Sequence, residues 1–259
     1  MSDIIINADD FGFSENTVEA TIKLFELKAI SSATIMLSMP GTEFAIDYAK
    51  KNPQFSFGLH LNLITDDVEK PILQSLDIPT LTTKDGFFHT IRKLRLLSLM
   101  NLIDKEDIIL ETVAQINCIK NKDINISHID SHGHTHKLPL ISKALSKIEG
   151  KNKIKKIRNT QNIFLNKKYN SPTFWLQSIY KKNIVKNFKT TNYFYMDSYH
   201  QDKNWPEIIS KLKLNGSIEI GVHPGSDLEW KIKETENTIL FSDKIKKDSN
   251  FNIINWNSL

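Results

Sequence analysis

Short apolar runs that end in polar clusters alternate with segments of helical apolar spacing, and this alternation constrains the fold more than any other feature of the chain. The stretch from Asp3 to Asn7 carries three consecutive Ile residues and meets Asp9-Asp10, as a strand buried on both faces and ending in a site would. A helix is expected from Ser14 or Glu15, where Val18, Ile22, Phe25 and Ala29 recur at helical spacing, followed by a strand from Ala33 to Ser38. A helix from about Thr42 to Lys51, a strand from Phe55 to Leu63 and helical spacing from Ile91 to Leu102 come next. Asp104 reads as the cap of a helix running to about Ile119. Further strands are expected at Asn125 to Ser131, Lys153 to Arg158, Tyr193 to Met196 and Ser217 to Val222. Strands alternating with helices argue for a parallel α/β sheet or barrel.

With 259 residues, 40% of them hydrophobic, the chain can bury a sizeable core without staples. No repeat, low-complexity tract or flexible linker divides it, so a single domain over residues 1–259 is expected. About seven strands at this length favour a closed or nearly closed barrel. An open dinucleotide-binding sheet would put a Gly-rich turn after the first strand, and none is present. The lone Cys118 cannot form an internal disulfide, the start MSDIIINADDFG lacks a signal-peptide pattern, and no apolar run approaches the roughly 20 residues of a membrane span. A cytoplasmic setting is therefore expected.

The polar residues of interest close the expected strands, where α/β folds build their sites. Asp9 and Asp10 end the first. In Phe55 to Leu63 the odd-numbered residues are all apolar, so His60 turns to the other face with Ser56, Gly58 and Asn62. His128, His132, His134 and His136 fall within nine residues. His128 and His132 could share a metal on a helix, where they would stand about 6 Å apart, but on a strand four residues span about 13 Å. His132 lies nearer the strand's C-terminal end and is taken as the ligand, with the roles of His128, His134 and His136 left open. His223 closes the last strand on the face it shares with Glu219 and Gly221. Asp-His-His is a common three-ligand set that leaves a divalent ion an open position. A further carboxylate and His can then act as base and acid. Asp10-Phe11-Gly12 also matches the metal-holding tripeptide of protein kinases, but the Gly-rich loop, strand Lys and catalytic loop that precede it there are missing.

In order and spacing, Asn7-Ala8-Asp9-Asp10-Phe11-Gly12, Gly58-Leu59-His60-Leu61-Asn62-Leu63, His128-Ile129-Asp130-Ser131-His132 and His223-Pro224-Gly225 resemble the YdjC-like carbohydrate deacetylases. That family includes the chitooligosaccharide deacetylases and is related to the NodB-type polysaccharide deacetylases. The resemblance implies a distorted (β/α) barrel and removal of an acetyl group from an N-acetylated sugar. It implies one divalent metal ion, Mg2+ or Zn2+, held by Asp10, His60 and His132. Asp9 would be the general base and His223 the general acid, with Asp130 and Arg158 supporting the ligands from behind. Many members carry His where this chain has Gly133.

Between Lys143 and Lys189 stand thirteen Lys or Arg against the single acid Glu149. The basic segment 171–189, with Phe174, Trp175, Ile179, Ile184, Val185 and Phe188 among its Lys residues, reads as a basic amphipathic helix, and Ile91 to Leu97 has the same character. Such helices could rest on an anionic membrane, which would suit a lipid-linked sugar, or could face the core with their Lys and Arg reaching solvent. Nucleic-acid binding is not expected, because no recognised motif accompanies the charge. A homo-oligomer and a non-catalytic metal- or sugar-binding barrel are the remaining readings.

Overall fold

In the computed structural model, which describes residues 2–66, 69–165, 172–197 and 204–259, β1 (Ser2–Phe11) runs through the middle of a seven-stranded sheet. β2 (Ser32–Ile35), β3 (Ser56–Leu61) and β4 (Ile126–Ser131) lie in order on one side of it, and β6 (Gly216–Val222) and β5 (Tyr193–Met196) on the other. The short β7 (Phe251–Ile253) pairs with the start of β1, and every ladder is parallel. The helices are α1 (Glu15–Glu26), α2 (Thr42–Lys51), α3 (Ile91–Leu99), α4 (Lys105–Lys120), α5 (Pro139–Leu145), α6 (Pro172–Asn187), α7 (Trp205–Ser210) and α8 (Glu229–Ile245).

The local signals act as expected: Ser14 Oγ accepts the Thr17 amide at the start of α1, and Asp104 accepts the Glu106 amide at the start of α4. The parallel α/β barrel holds, with one of its seven strands in a different place. Lys153 to Arg158 is not a ladder strand. It touches its neighbours only through isolated bridges, Ile129 with Ile157 and Lys156 with Lys189. The amides of Asn162 and Ile163 then both donate to the Phe194 carbonyl. This irregular segment spans the gap between β4 and β5, which is what distorts the barrel. The second strand also stops at Ile35 rather than Ser38, and Ser38 has φ of 60°.

Strand parity explains what the barrel encloses. Ile4, Ile6 and Ala8 of β1, Phe57, Leu59 and Leu61 of β3, and Ile218, Ile220 and Val222 of β6 belong to the apolar core that the helices cover. On the other face of these strands and of β2 and β4, Asn7, Asp9, Thr34, His60, Asp130 and Glu219 are buried and polar. Such an interior is stable only if its polar groups satisfy one another. At the opposite end His128 stacks on Trp256 with ring centroids 4.2 Å apart, and a β-carbon at Gly58 would come within 2.7 Å of the His128 ring.

The described Lys residues of the basic window face solvent or are half-buried, whereas Arg158 is fully buried. The helix expected over 171–189 is present as α6, with Ile184 and Phe188 in the core and Ile179 and Val185 exposed. Ser171, Lys167 and Lys168, and the side chains of residues 172–177 with Phe174 and Trp175, lie outside the described residues.

Candidate active site

The end of β1 brings two adjacent carboxylates to one region, which a regular strand would turn to opposite faces. The register against β2 shifts between Ala8 and Phe11, and Asp10 takes the left-handed φ of 56° that Asp tolerates better than most residues. Asp9 stays inside the barrel and Asp10 reaches its mouth.

His60 stands directly across from Asp130 in the β3–β4 register. Its Nδ1 lies 2.8 Å from Asp130 Oδ1 and its Nε2 3.0 Å from Asp10 Oδ1. His132 begins the tight turn 132–137 that ends β4, in which Gly133 and His134 both have positive φ. Its Nδ1 is 3.1 Å from the same Asp10 oxygen, and its Nε2 is 3.0 Å from Asp66 Oδ2 on the loop after β3. At Gly133, φ is 57° and an added β-carbon would sit 2.8 Å from Ile64 Cδ1, so this backbone accepts Gly more readily than His.

Asp10, His60 and His132 each offer a ligand atom within 4.8 Å of the other two. One carboxylate oxygen and two imidazole nitrogens at this spacing fit a divalent ion of the Zn2+ or Mg2+ kind. A second test of fit is that the far nitrogen of His60 is held by a carboxylate, as outer partners hold metal-bound imidazoles. Burial alone would raise the Asp10 carboxyl, but His132 and His60 hold it well below its usual value. Burial would lower His132, and Asp10 beside it instead raises it to about 9.

Beneath this centre Arg158 organises the interior. Its guanidinium is 2.7 Å from Asp9 Oδ1, 2.8 Å from Asp130 Oδ2 and 2.9 Å from Glu219 Oε1, and it lies over the Phe194 ring at 4.8 Å. Asn7 Nδ2 donates to Asp9, and Thr34 Oγ1 donates to Asp130. Although burial would raise it, Arg158 holds the Asp9 carboxyl below its ordinary value. Glu219, at the far side, is pushed by burial up to about 7.

His223 follows β6 and does not join the three convergent ligand atoms. Its Nδ1 faces Glu234 Oε2 of α8 across 3.5 Å, an ion-pair separation longer than a good hydrogen bond. Burial would lower it, and Glu234 raises it to about 9, with Asp10 and Asp9 contributing. His128, His134 and His136 offer no atom to that trio. His128 Nδ1 pairs with Ser127 Oγ below the site, and His136 Nδ1 pairs with Ser131 Oγ. Burial pushes His128, His134 and His136 all well below the usual imidazole range.

Sequence reasoning missed Thr34, Asp66 and Glu234. Strand parity in β2 could have found Thr34, which sits between the apolar Ala33 and Ile35. Asp66 and Glu234 come from a loop and a helix that no local pattern aims at the site.

A partly closed (β/α) barrel with a polar interior and a candidate metal centre at its C-terminal mouth is the class that fold and site define. Within that class the family model described as YdjC-like protein matches residues 3–251, so the chain belongs to the YdjC-like family. A carbohydrate deacetylase of Brevibacillus brevis is 34% identical over 138 residues, 53% of this chain and 52% of that one. A carbohydrate deacetylase of Halalkalibacterium halodurans is 32% identical over 150 residues, 56% of this chain and 61% of the relative. The chain thus matches about half the length of these curated relatives. In three dimensions it is similar to a solved structure from Enterococcus faecalis V583 described as a cellobiose-phosphate cleavage protein, with a TM-score of 0.79 and 21% identity over 99% of this chain and 98% of that one. That likeness shows the fold.

Proposed function

We propose that the chain is a metal-dependent carbohydrate deacetylase that hydrolyses the acetamide of an N-acetylated sugar to acetate and a free amine. The observation that carries this reading is the convergence of Asp10, His60 and His132 at the barrel mouth of a YdjC-like chain. A divalent ion held there, Mg2+ or Zn2+, supplies Lewis acidity to a carbonyl oxygen and to water.

The chain's own residues supply the proton traffic. Asp9 is the base: it takes a proton from water as the new C–O bond forms, and Arg158 and Asn7 keep its carboxylate ionised and fixed. His223 is the acid: it gives a proton to the amine nitrogen as the C–N bond breaks, and Glu234 behind it keeps the imidazole charged until then. Asp130 orients His60 and shares Arg158 with Asp9. Replacing His223 by Gln removes the donor, and kcat for acetate release is expected to fall by about 10²–10⁴-fold, with metal affinity unchanged. A wild-type rate in that variant would reject the assignment.

A second reading places the sugar on a lipid, and a specific face favours it. α3 and the residues just after it expose Leu96, Leu99, Met100 and Leu102 beside exposed Arg92, Lys93 and Arg95, with no acid between Ile91 and Ile103. No described helix is long and apolar enough to cross a membrane, so contact through this face would be peripheral. The protein should then sediment with phosphatidylglycerol vesicles at low salt. Arg92→Gln with Arg95→Gln should weaken that binding roughly 30-fold, at about 1 kcal/mol per charge. A protein that ignores such vesicles would reject the lipid-linked reading.

A further inference from the structure

His132 and His60 are held in the same way from opposite sides, and the symmetry extends to a residue that the proposed chemistry does not use. Each imidazole turns one nitrogen inward to Asp10 Oδ1 and the other outward to a second carboxylate. For His60 the inward atom is Nε2 and the outward partner Asp130. For His132 the inward atom is Nδ1 and the outward partner is Asp66, 3.0 Å from Nε2. The rings stand 5.7 Å apart at 67°, so the two inward nitrogens approach the shared oxygen from different directions.

We propose that Asp66 is a positioning residue for the metal centre, fixing His132 in the tautomer that carries its proton on Nε2 and presents the Nδ1 lone pair to the ion. An imidazole that ligates through one nitrogen must keep the proton on the other, and a carboxylate at hydrogen-bond distance selects which. The geometry therefore assigns unlike ligand atoms, Nε2 of His60 and Nδ1 of His132. The two outer carboxylates also differ in setting. Asp130 is fully buried, whereas the Asp66 side chain is 62% exposed. The loop presents Asp66 because the buried Glu69 ties it down: Glu69 Oε2 accepts both the Thr65 hydroxyl and the Asp66 amide. Half of the centre's outer support thus comes from a loop at the barrel mouth, where a substrate could reach it, and half from the barrel floor.

The inference rests on the metal-site reading, and its test separates the two. Zn2+ and Mg2+ affinities are measured by calorimetry for the full chain, for Asp66→Asn and Asp66→Ala, and for Asp66→Glu as the conservative variant. Long-range 15N–1H spectra of the Zn2+-loaded protein report which nitrogen of His132 bears the proton. Asp66→Asn and Asp66→Ala are expected to bind the ion about 10–100-fold more weakly, with apo-protein melting unchanged because Asp66 is exposed. Asp66→Glu recovers part of the loss, and Nε2 is the protonated nitrogen in the parent. Affinity within about twofold of the parent for Asp66→Ala, or a proton on His132 Nδ1 in the loaded protein, overturns the role of Asp66 and leaves the metal centre standing. A parent that binds neither ion overturns both.

Discussion

Replacing Arg158 by Met is expected to lower the unfolding free energy by about 3–5 kcal/mol, because removing one partner of a buried ion network strands the charges that remain. Arg158 is fully buried and is the cation that Asp9, Asp130 and Glu219 share in the barrel interior. Met fills much of the same volume, so the loss reports charge more than a cavity. The pH dependence has a definite sign. In the parent, Arg158 holds Asp9 low against the burial that would raise it. Without the guanidinium, burial is opposed only by the weaker pull of His60 and His223, and the folded Asp9 carboxyl is expected to titrate above its unfolded value. Such groups bind more protons folded than unfolded, so their cost appears above the unfolded pKa and grows as pH rises. The gap between parent and variant should therefore widen from pH 4 to pH 8 in urea unfolding, with the denaturant slope unchanged. A variant within about 1 kcal/mol of the parent at pH 8 would show that the carboxylates are satisfied by something other than Arg158.

Asp9→Asn is expected to reduce the rate of acetate release by about 10²–10⁴-fold, the range a general base contributes. The variant should hold its metal as the parent does, since Asp10, His60 and His132 supply the three convergent atoms. Asn keeps the shape and can still accept from Arg158, so stability should fall less than in Arg158→Met. Undiminished activity in Asp9→Asn would sink the base assignment and leave Asp9 as a counter-charge for Arg158. Asp10→Asn separates the two neighbouring carboxylates, because it should lose metal and activity together.

Much of the barrel was legible because parallel strands and their covering helices leave strong local signals. Three consecutive Ile residues in β1, the all-apolar odd positions of β3 and the caps Ser14 and Asp104 each act within a few residues. Lys153 to Arg158 misled for a physical reason. Ile154 and Ile157 set among charges read as a short strand, and both are indeed buried, but three residues apart they would face opposite sides of a regular strand, and the segment makes only isolated bridges. The site was legible where parity aims a residue inward, as for His60 and Glu219. It was not legible where the backbone departs from the regular strand. The bulge that admits both Asp9 and Asp10, and the left-handed pair Gly133 and His134 that ends β4, are properties of neighbouring strands and loops together. Arg158 was reached only through the family resemblance, since by charge it is one of thirteen basic residues between Lys143 and Lys189, yet it is fully buried at the centre of the polar interior.

The central claim, that a divalent ion at Asp10, His60 and His132 serves deacetylation of a sugar, is tested most directly by acetate release over a panel of soluble and lipid-linked N-acetylated sugars, using chelated protein and protein restored with Mg2+ or Zn2+. The account predicts acetate from at least one of these sugars, loss of that activity on chelation, recovery with one of the two ions, and no recovery in His60→Ala. Acetate release that survives chelation, or none from any sugar by protein shown calorimetrically to hold its metal, would contradict it.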